Sequence, residues 1–236
     1  MAAKSGVKNR LLHLLSREEY HRLASHMEPV QLEFMQVLYE PGQRMDHVYF
    51  PNSGVLSYLA VLEDGSSAEV ATVGDEGMVG IRALLGVDAI ATAAKVIVQV
   101  PGAALRLAST HLNAAASRRD SVLVRILHRY LHAFLSQATQ SVACNTLHPL
   151  GKRLARWLLM THDRVHADQF PLTHELLALM LGVRRASVTE VARRLQTAGL
   201  IRYIHGKMTI LDRIGLEAAA CECYRIVKKE YDDLLR

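Results

Sequence analysis

Arg184, Arg185, Arg193 and Arg194 bring four guanidinium groups into one short stretch that also holds Ser187, Thr189 and Glu190. A guanidinium fork pairs with both O6 and N7 of guanine, a carboxylate accepts from cytosine N4, and hydroxyls bond phosphate oxygens. This chemistry suits the edges of base pairs and their flanking phosphates. Bond-making chemistry needs a nucleophile or a carboxylate pair with a neighbouring base, and no such constellation is apparent, so no catalytic residues are expected. The two acids Asp75 and Glu76 sit at a turn signal, where solvation accounts for them.

These side chains must be held by something rigid, and the segment LTHELLALMLGVRRASVTEVARRL, residues 172–195, has the spacing for it. Thr173 can cap a first helix through its hydroxyl. Ala178 is small where two helices cross, and Gly182 can take the left-handed conformation that reverses the chain. Val188 then plugs a second helix onto the first, with Leu177, Leu181, Val183, Val191 and Leu195 completing one apolar face. The second helix should start at Arg184 or Arg185 and run to Ala198. With Val188, Val191, Ala192 and Leu195 inward, a rotation of about 100° per residue turns Ala186, Thr189, Glu190 and Arg193 outward. Arg184 and Arg185 stand at the entering end, while Ser187 and Arg194 flank the face. Residues 201–204 and 207–211 read as two wing strands joined at His205-Gly206, which brings Arg202, His205 and Lys207 within reach of phosphates.

The chain has 236 residues, 28 basic and 23 acidic, for a net charge of +5. Residues 1–145 hold 13 of each sign, so the excess lies wholly in residues 146–236, with 15 basic and 10 acidic side chains. A basic excess confined to one region favours a polyanionic partner. No apolar run is long enough to span a membrane, and the opening MAAKSGVKNRLLHLL turns polar too soon for a secretion signal, so a cytoplasmic protein with no membrane partner is expected. The three cysteines, Cys144, Cys221 and Cys223, are too few for a disulfide framework. Cys221-Glu222-Cys223 has the means to oxidise or hold a metal but lacks four-ligand spacing, and it reads as two small half-buried residues on a terminal helix. His128 with His132, and His162 with His166, have i, i+4 spacing that arises readily among 12 histidines. No metal site is assigned.

Ahead of the basic region, residues 9–27 read as one amphipathic helix. From Val30 to Leu107, short apolar runs are cut by Pro41-Gly42, Asn52-Ser53-Gly54, Glu63-Asp64-Gly65, Gly74-Asp75 and Pro101-Gly102. Such punctuation predicts an antiparallel β-roll with strands at 48–50, 55–62, 68–73 and 94–100. A long helix follows Ser117, with Leu123, Ile126, Leu127, Tyr130, Phe134 and Gln137 as candidates for contact with a second copy. His148-Pro149 breaks it. The expected α+β organisation is a roll with its leading helix over 1–116, a dimerisation helix and hinge over 117–147, and a winged helix-turn-helix over 148–236.

Helix, roll, long helix, hinge and winged helix-turn-helix in this order resemble transcription regulators of the Crp/Fnr family. LTHELLALMLGVRRASVTEVARRLQTAGLI, HGKMTIL, YEPGQRMDHVYFPNSGVLS and GDEGMVG carry the likeness. It implies a homodimer that binds double-stranded DNA and contacts RNA polymerase. In the family's best-known pattern, arginine, glutamate and arginine occupy successive outward positions of the second helix. Arg185 matches the first, whereas Ala186 and Glu190 replace the others, so the target of the cyclic-AMP receptor protein does not carry over. An effector would be expected near Gly77, Gly80, Ile81, Arg82, Ala91 and Thr92. Ile81 stands where a ribose-binding glutamate belongs, and residues 88–94 lack the phosphate-binding arginine, which argues against cyclic AMP bound in the usual mode. The oxygen-sensing branch uses amino-terminal cysteines for an iron-sulfur cluster, and this chain has none before Cys144. No cofactor is evident. A competing reading makes the roll a ligand-binding module that acts through protein partners rather than DNA.

Overall fold

The computed structural model describes residues 7–81, 93–118 and 121–236. The amino-terminal segment forms two short helices rather than one, α1 (Arg10–His13) and α2 (Arg17–Ala24). Two caps cause the break. The Asn9 side chain accepts from the Leu12 amide, and Ser16 accepts from the Glu19 amide while its hydroxyl donates to the Glu19 carboxylate.

The roll is an antiparallel sheet of β1 (Glu28–Leu32), β2 (Val37–Tyr39), β3 (His47–Val61), β4 (Ser67–Val73) and β5 (Ala94–Ala108). Its order is β1-β5-β3-β4, with β2 also paired to β5. The expected turn at Glu63-Asp64-Gly65 closes the β3–β4 hairpin, with Leu62 donating to Ser66 at 2.8 Å. Two other turn signals do not end strands. Asn52-Ser53-Gly54 and Pro101-Gly102 are facing irregularities inside the long strands β3 and β5, where the pairing register shifts. Gly54 has φ +85°, and a Cβ there would lie 2.6 Å from the Val100 carbonyl oxygen; a Cβ on Gly102 would lie 2.3 Å from that of Ser53. Each glycine lets the opposing backbone close in.

After β5 come α3 (Ser109–Ala116), which the sequence pattern did not separate, and the long α4 (Val122–Leu147). His148 is extended, as a residue before proline prefers, and α5 (Leu150–Val165) starts beyond Pro149. The remainder runs β6 (Gln169–Pro171), α6 (His174–Leu181), α7 (Arg185–Thr197), β7 (Ile201–Ile204), β8 (Lys207–Ile210), α8 (Arg213–Ala219) and α9 (Cys223–Leu234). A third wing strand, β6, joins the two expected, in the order β6-β8-β7. Helix α9 lies along α4.

The expected dimer stripe on α4 is corrected. Leu123, Ile126, Leu127, Tyr130 and Gln137 are buried within their own chain, and Phe134 is half-buried against Tyr58 and Tyr130. The Tyr130 hydroxyl donates to the Met78 carbonyl at 2.8 Å, and the Gln137 amide to the Thr72 carbonyl at 3.0 Å. The roll covers this face. The apolar side chains left exposed on α4 are Leu135 (53%), Val142 (61%) and Leu147.

The carboxy-terminal region packs directly on the roll. One apolar core runs from Phe50 and Met78 through Tyr130 to Leu158 and Leu177. At its edge, buried Arg164 on α5 pairs with Glu76 at 2.8 Å and donates to Gln137 at 3.2 Å. The Trp157 indole donates to Glu69 at 2.9 Å, and Gln99 donates to Thr161 at 3.0 Å.

Candidate nucleic-acid interface

The helical pair follows from local sequence. The Thr173 hydroxyl accepts from the Leu176 amide at 3.1 Å and opens α6. Gly182 closes it at φ +61°, where a Cβ would sit 3.2 Å from Ala68 on β4. Arg184 is the extended residue before α7 and Ala198 its end, in keeping with the expected span. Val188, Ala192 and Leu195 are buried, and Val191 is half-buried beneath the helix. Leu176 and Met180 add to the apolar face on α6, because that helix is covered on more than one side.

What α7 leaves outside is a row of polar groups. Arg184, Arg185, Ala186, Thr189, Glu190, Arg193 and Arg194 are exposed, and Ser187 is half-buried. Arg185 pairs with Glu175 of α6 at 2.9 Å, and Glu190 pairs with Arg194 one turn on. Both pairs are well exposed, so each is a weak tie that a phosphate or base can displace. Arg184 and Arg193 have no ion-pair partner among the described residues. The wing turn takes two left-handed residues, His205 at φ 47° and Gly206 at φ 75°, as a two-residue hairpin requires. Arg202, His205 and Lys207 line an open groove with Gln169 and Thr209 on the side of the wing.

His174, which residue spacing did not single out, ties the parts together. Its ring stacks on Tyr203 of the wing with centroids 4.2 Å apart, and its Nδ1 lies 3.0 Å from the Thr189 hydroxyl of α7. Burial lowers its pKa, and the charge of Arg185 adds to the effect. The sequence signal was slight: a ring one place after the cap, facing a tyrosine far along the chain.

In the roll, the expected effector positions divide. Arg82, Ala91 and Thr92 lie outside the described residues. Gly77 is packed so closely under Tyr130 that a Cβ would come within 2.6 Å of its ring. Gly80 donates its amide to the Tyr58 hydroxyl at 3.1 Å, and Ile81 is buried. Tyr130 of α4 and Tyr58 of β3 therefore cover this strip of backbone. Three of the four paired histidines face separate carboxylates. His162 faces Asp168, His166 faces Asp75 and His132 faces Glu230, each Nε2 within 3.2 Å of a carboxylate oxygen.

A roll joined by a long helix to a winged helix-turn-helix with a basic outer row is the build of a DNA-binding transcription regulator. Residues 29–119 match the cyclic nucleotide-binding domain, and residues 152–219 match the Crp-like helix-turn-helix domain. The chain is 27% identical over 186 residues to the transcriptional regulator SdrP of Thermus thermophilus, covering 76% of this chain and 86% of that protein. It is similar to the crystal structure of TTHA1359, a CRP/FNR-family regulator also from Thermus thermophilus, with a TM-score of 0.65 at 26% identity over 82% of this chain and 98% of that one. A Crp/Fnr regulator structure from Eubacterium rectale shares the fold, with a TM-score of 0.68 at 18% identity over 89% of this chain and 96% of that one. The chain belongs to the Crp/Fnr family of transcription regulators, and its function is to bind DNA and regulate transcription.

Proposed function

We propose that α7 reads DNA in the major groove, with Arg184 and Arg185 at its leading end. Thr189, Glu190 and Arg193 face base edges, and Thr173, Ser187, Arg194, Arg202, His205 and Lys207 hold phosphates. The observation that carries this reading is the exposed polar row of α7 set opposite a buried Val188, Ala192 and Leu195. Side chains that hold the helix are thereby separated from those free to meet a ligand.

The protein acts as a homodimer that presents two copies of α7 to two half-sites about one helical turn apart. The exposed side of α4 that carries Leu135 and Val142 supports the pairing. The likeness to the family brings with it a cytoplasmic setting and contact with RNA polymerase. An effector at the roll would be other than cyclic AMP held in the usual mode, because buried, apolar Ile81 offers a ribose no acceptor. Selection of bound sequences from random duplexes by the purified protein tests the assignment. A two-fold symmetric motif is expected, and recovery of unselected sequence would count against it.

A further inference from the structure

Four residues that residue spacing left apart meet where α4 ends. Cys144 is on the last turn of α4, His148 follows it, Cys221 sits between α8 and α9, and Cys223 opens α9. One ligand atom from each lies within 4.8 Å of all the others. Cys144 Sγ is 3.5 Å from Cys221 Sγ, and Cys223 Sγ is 3.5 Å from His148 Nδ1. Metal–sulfur bonds of about 2.3 Å and metal–nitrogen bonds of about 2.0–2.1 Å give tetrahedral edges of about 3.8 Å between sulfurs and about 3.5 Å from sulfur to nitrogen. The observed spacings suit a single small ion. They are too tight for the thiolates that surround a multi-iron cluster.

The three cysteines are buried, Cys221 and Cys223 more deeply than the half-burial expected of them, and they form a cluster apart from the two larger apolar cores. Around them are the groups that would steady a metal site. Gln140 donates its amide to Cys223 Sγ at 3.1 Å, and His148 Nε2 faces the Glu222 carboxylate at 3.5 Å, which leaves Nδ1 to the cluster. Charge provides a separate argument. Arg156 is buried, forms no direct ion pair among the described residues, has an Nε with no hydrogen-bond partner, and is felt electrostatically at Glu69. A buried cation needs a nearby anion. Three thiolates, one neutral imidazole and a divalent ion sum to one negative charge, which Arg156 offsets.

We propose that Cys144, His148, Cys221 and Cys223 form a closed structural site for Zn²⁺ that clamps the end of α4 and the hinge to the α8–α9 junction. Binding releases the three thiol protons to solvent and changes no oxidation state. The clamp fixes where the DNA-reading region hangs from the long helix. Two signals were present in the sequence: Cys144 and His148 at i, i+4 before the hinge, and Cys221-x-Cys223. Only the fold could join them.

The test uses the full chain, purified under reducing conditions without chelator. Elemental analysis should find about one zinc per chain, as expected for a single four-ligand site. Exchange for Co²⁺ should give the visible bands of a tetrahedral ion and thiolate-to-cobalt charge transfer in the near ultraviolet. Cys223→Ser and His148→Asn should lose the stoichiometric metal. The wild-type cobalt spectrum stands alone if those variants fold poorly. Reduced protein that takes up neither ion would overturn the proposal, as would a cobalt spectrum unchanged in folded Cys223→Ser. So would a Cys144–Cys221 disulfide that, once reduced, leaves a protein unable to bind metal.

Discussion

Among the described residues, the Arg185 side chain is tethered only by an exposed ion pair to Glu175, so its guanidinium is free to exchange that carboxylate for a guanine edge. Arg185→Ala should cost about 1–3 kcal/mol on a specific duplex and little on random DNA, as measured by titration at fixed salt. Equal loss on both would make it a phosphate contact. Glu69 offers a test of a different kind. Among the described residues its Oε2 is buried without a hydrogen-bond partner while Oε1 accepts from Trp157, and burial lifts its pKa from 4.5 to about 7. The folded protein thus keeps a proton that the unfolded chain gives up above about pH 4.5, so stability from this group is full below that point and declines as pH rises towards 7. Glu69→Gln should flatten that part of the Tm–pH curve. An unchanged slope would mean that the carboxyl is ionised throughout.

At the scale of elements, the two crossing points of the roll depend on glycine. Gly54→Ala places a Cβ against the Val100 carbonyl at a φ of +85°, so it should destabilise by well over about 1 kcal/mol in urea unfolding. A shift within error would show that the strands can part there. On α4, the buried and exposed faces predict opposite outcomes. Leu135→Lys and Val142→Lys should leave the fold intact and give monomers in sedimentation, whereas Tyr130→Ala, in the core, should cost about 3–5 kcal/mol of stability. Lysine variants that stay dimeric would relocate the seam. The helical pair and the wing were legible because their signals are local: a capping threonine, a left-handed glycine, apolar spacing and a two-residue turn. The face of α4 that the roll covers was not. Periodicity finds apolar stripes on a helix but says nothing of which body covers each, and the roll took the stripe centred on Tyr130. Gly54 and Gly102 misled for a similar reason, since a glycine that permits a turn also permits a close backbone crossing.

Over the whole molecule, the DNA-reading region is fastened to the roll by a buried polar junction rather than by apolar contact alone. Arg164 joins Glu76, Gln137 and the Met160 carbonyl from a position shut off from water. Removing one partner of such a pair leaves a buried charge, so Arg164→Met should cost about 3–5 kcal/mol and open α5 to limited proteolysis. The double variant Arg164→Met, Glu76→Gln should recover part of that loss. Failure of the pair to couple would mean that the junction is held by packing. The ties from Arg164 to Glu76 and Gln137 could not be read from the chain, because they join residues 88 and 27 positions apart through the fold.

In the proposed complex, two copies present the outer row of α7 to duplex DNA. This arrangement is tested most directly by titrating the protein into a selected, labelled duplex across a range of salt concentrations, with the mass of the complex measured in parallel. Two chains per duplex are expected, with an affinity that falls steeply with salt and a shallower salt slope for Arg193→Ala. One chain per duplex, or binding indifferent to salt and to the loss of Arg184, Arg185 and Arg193 together, would contradict this arrangement.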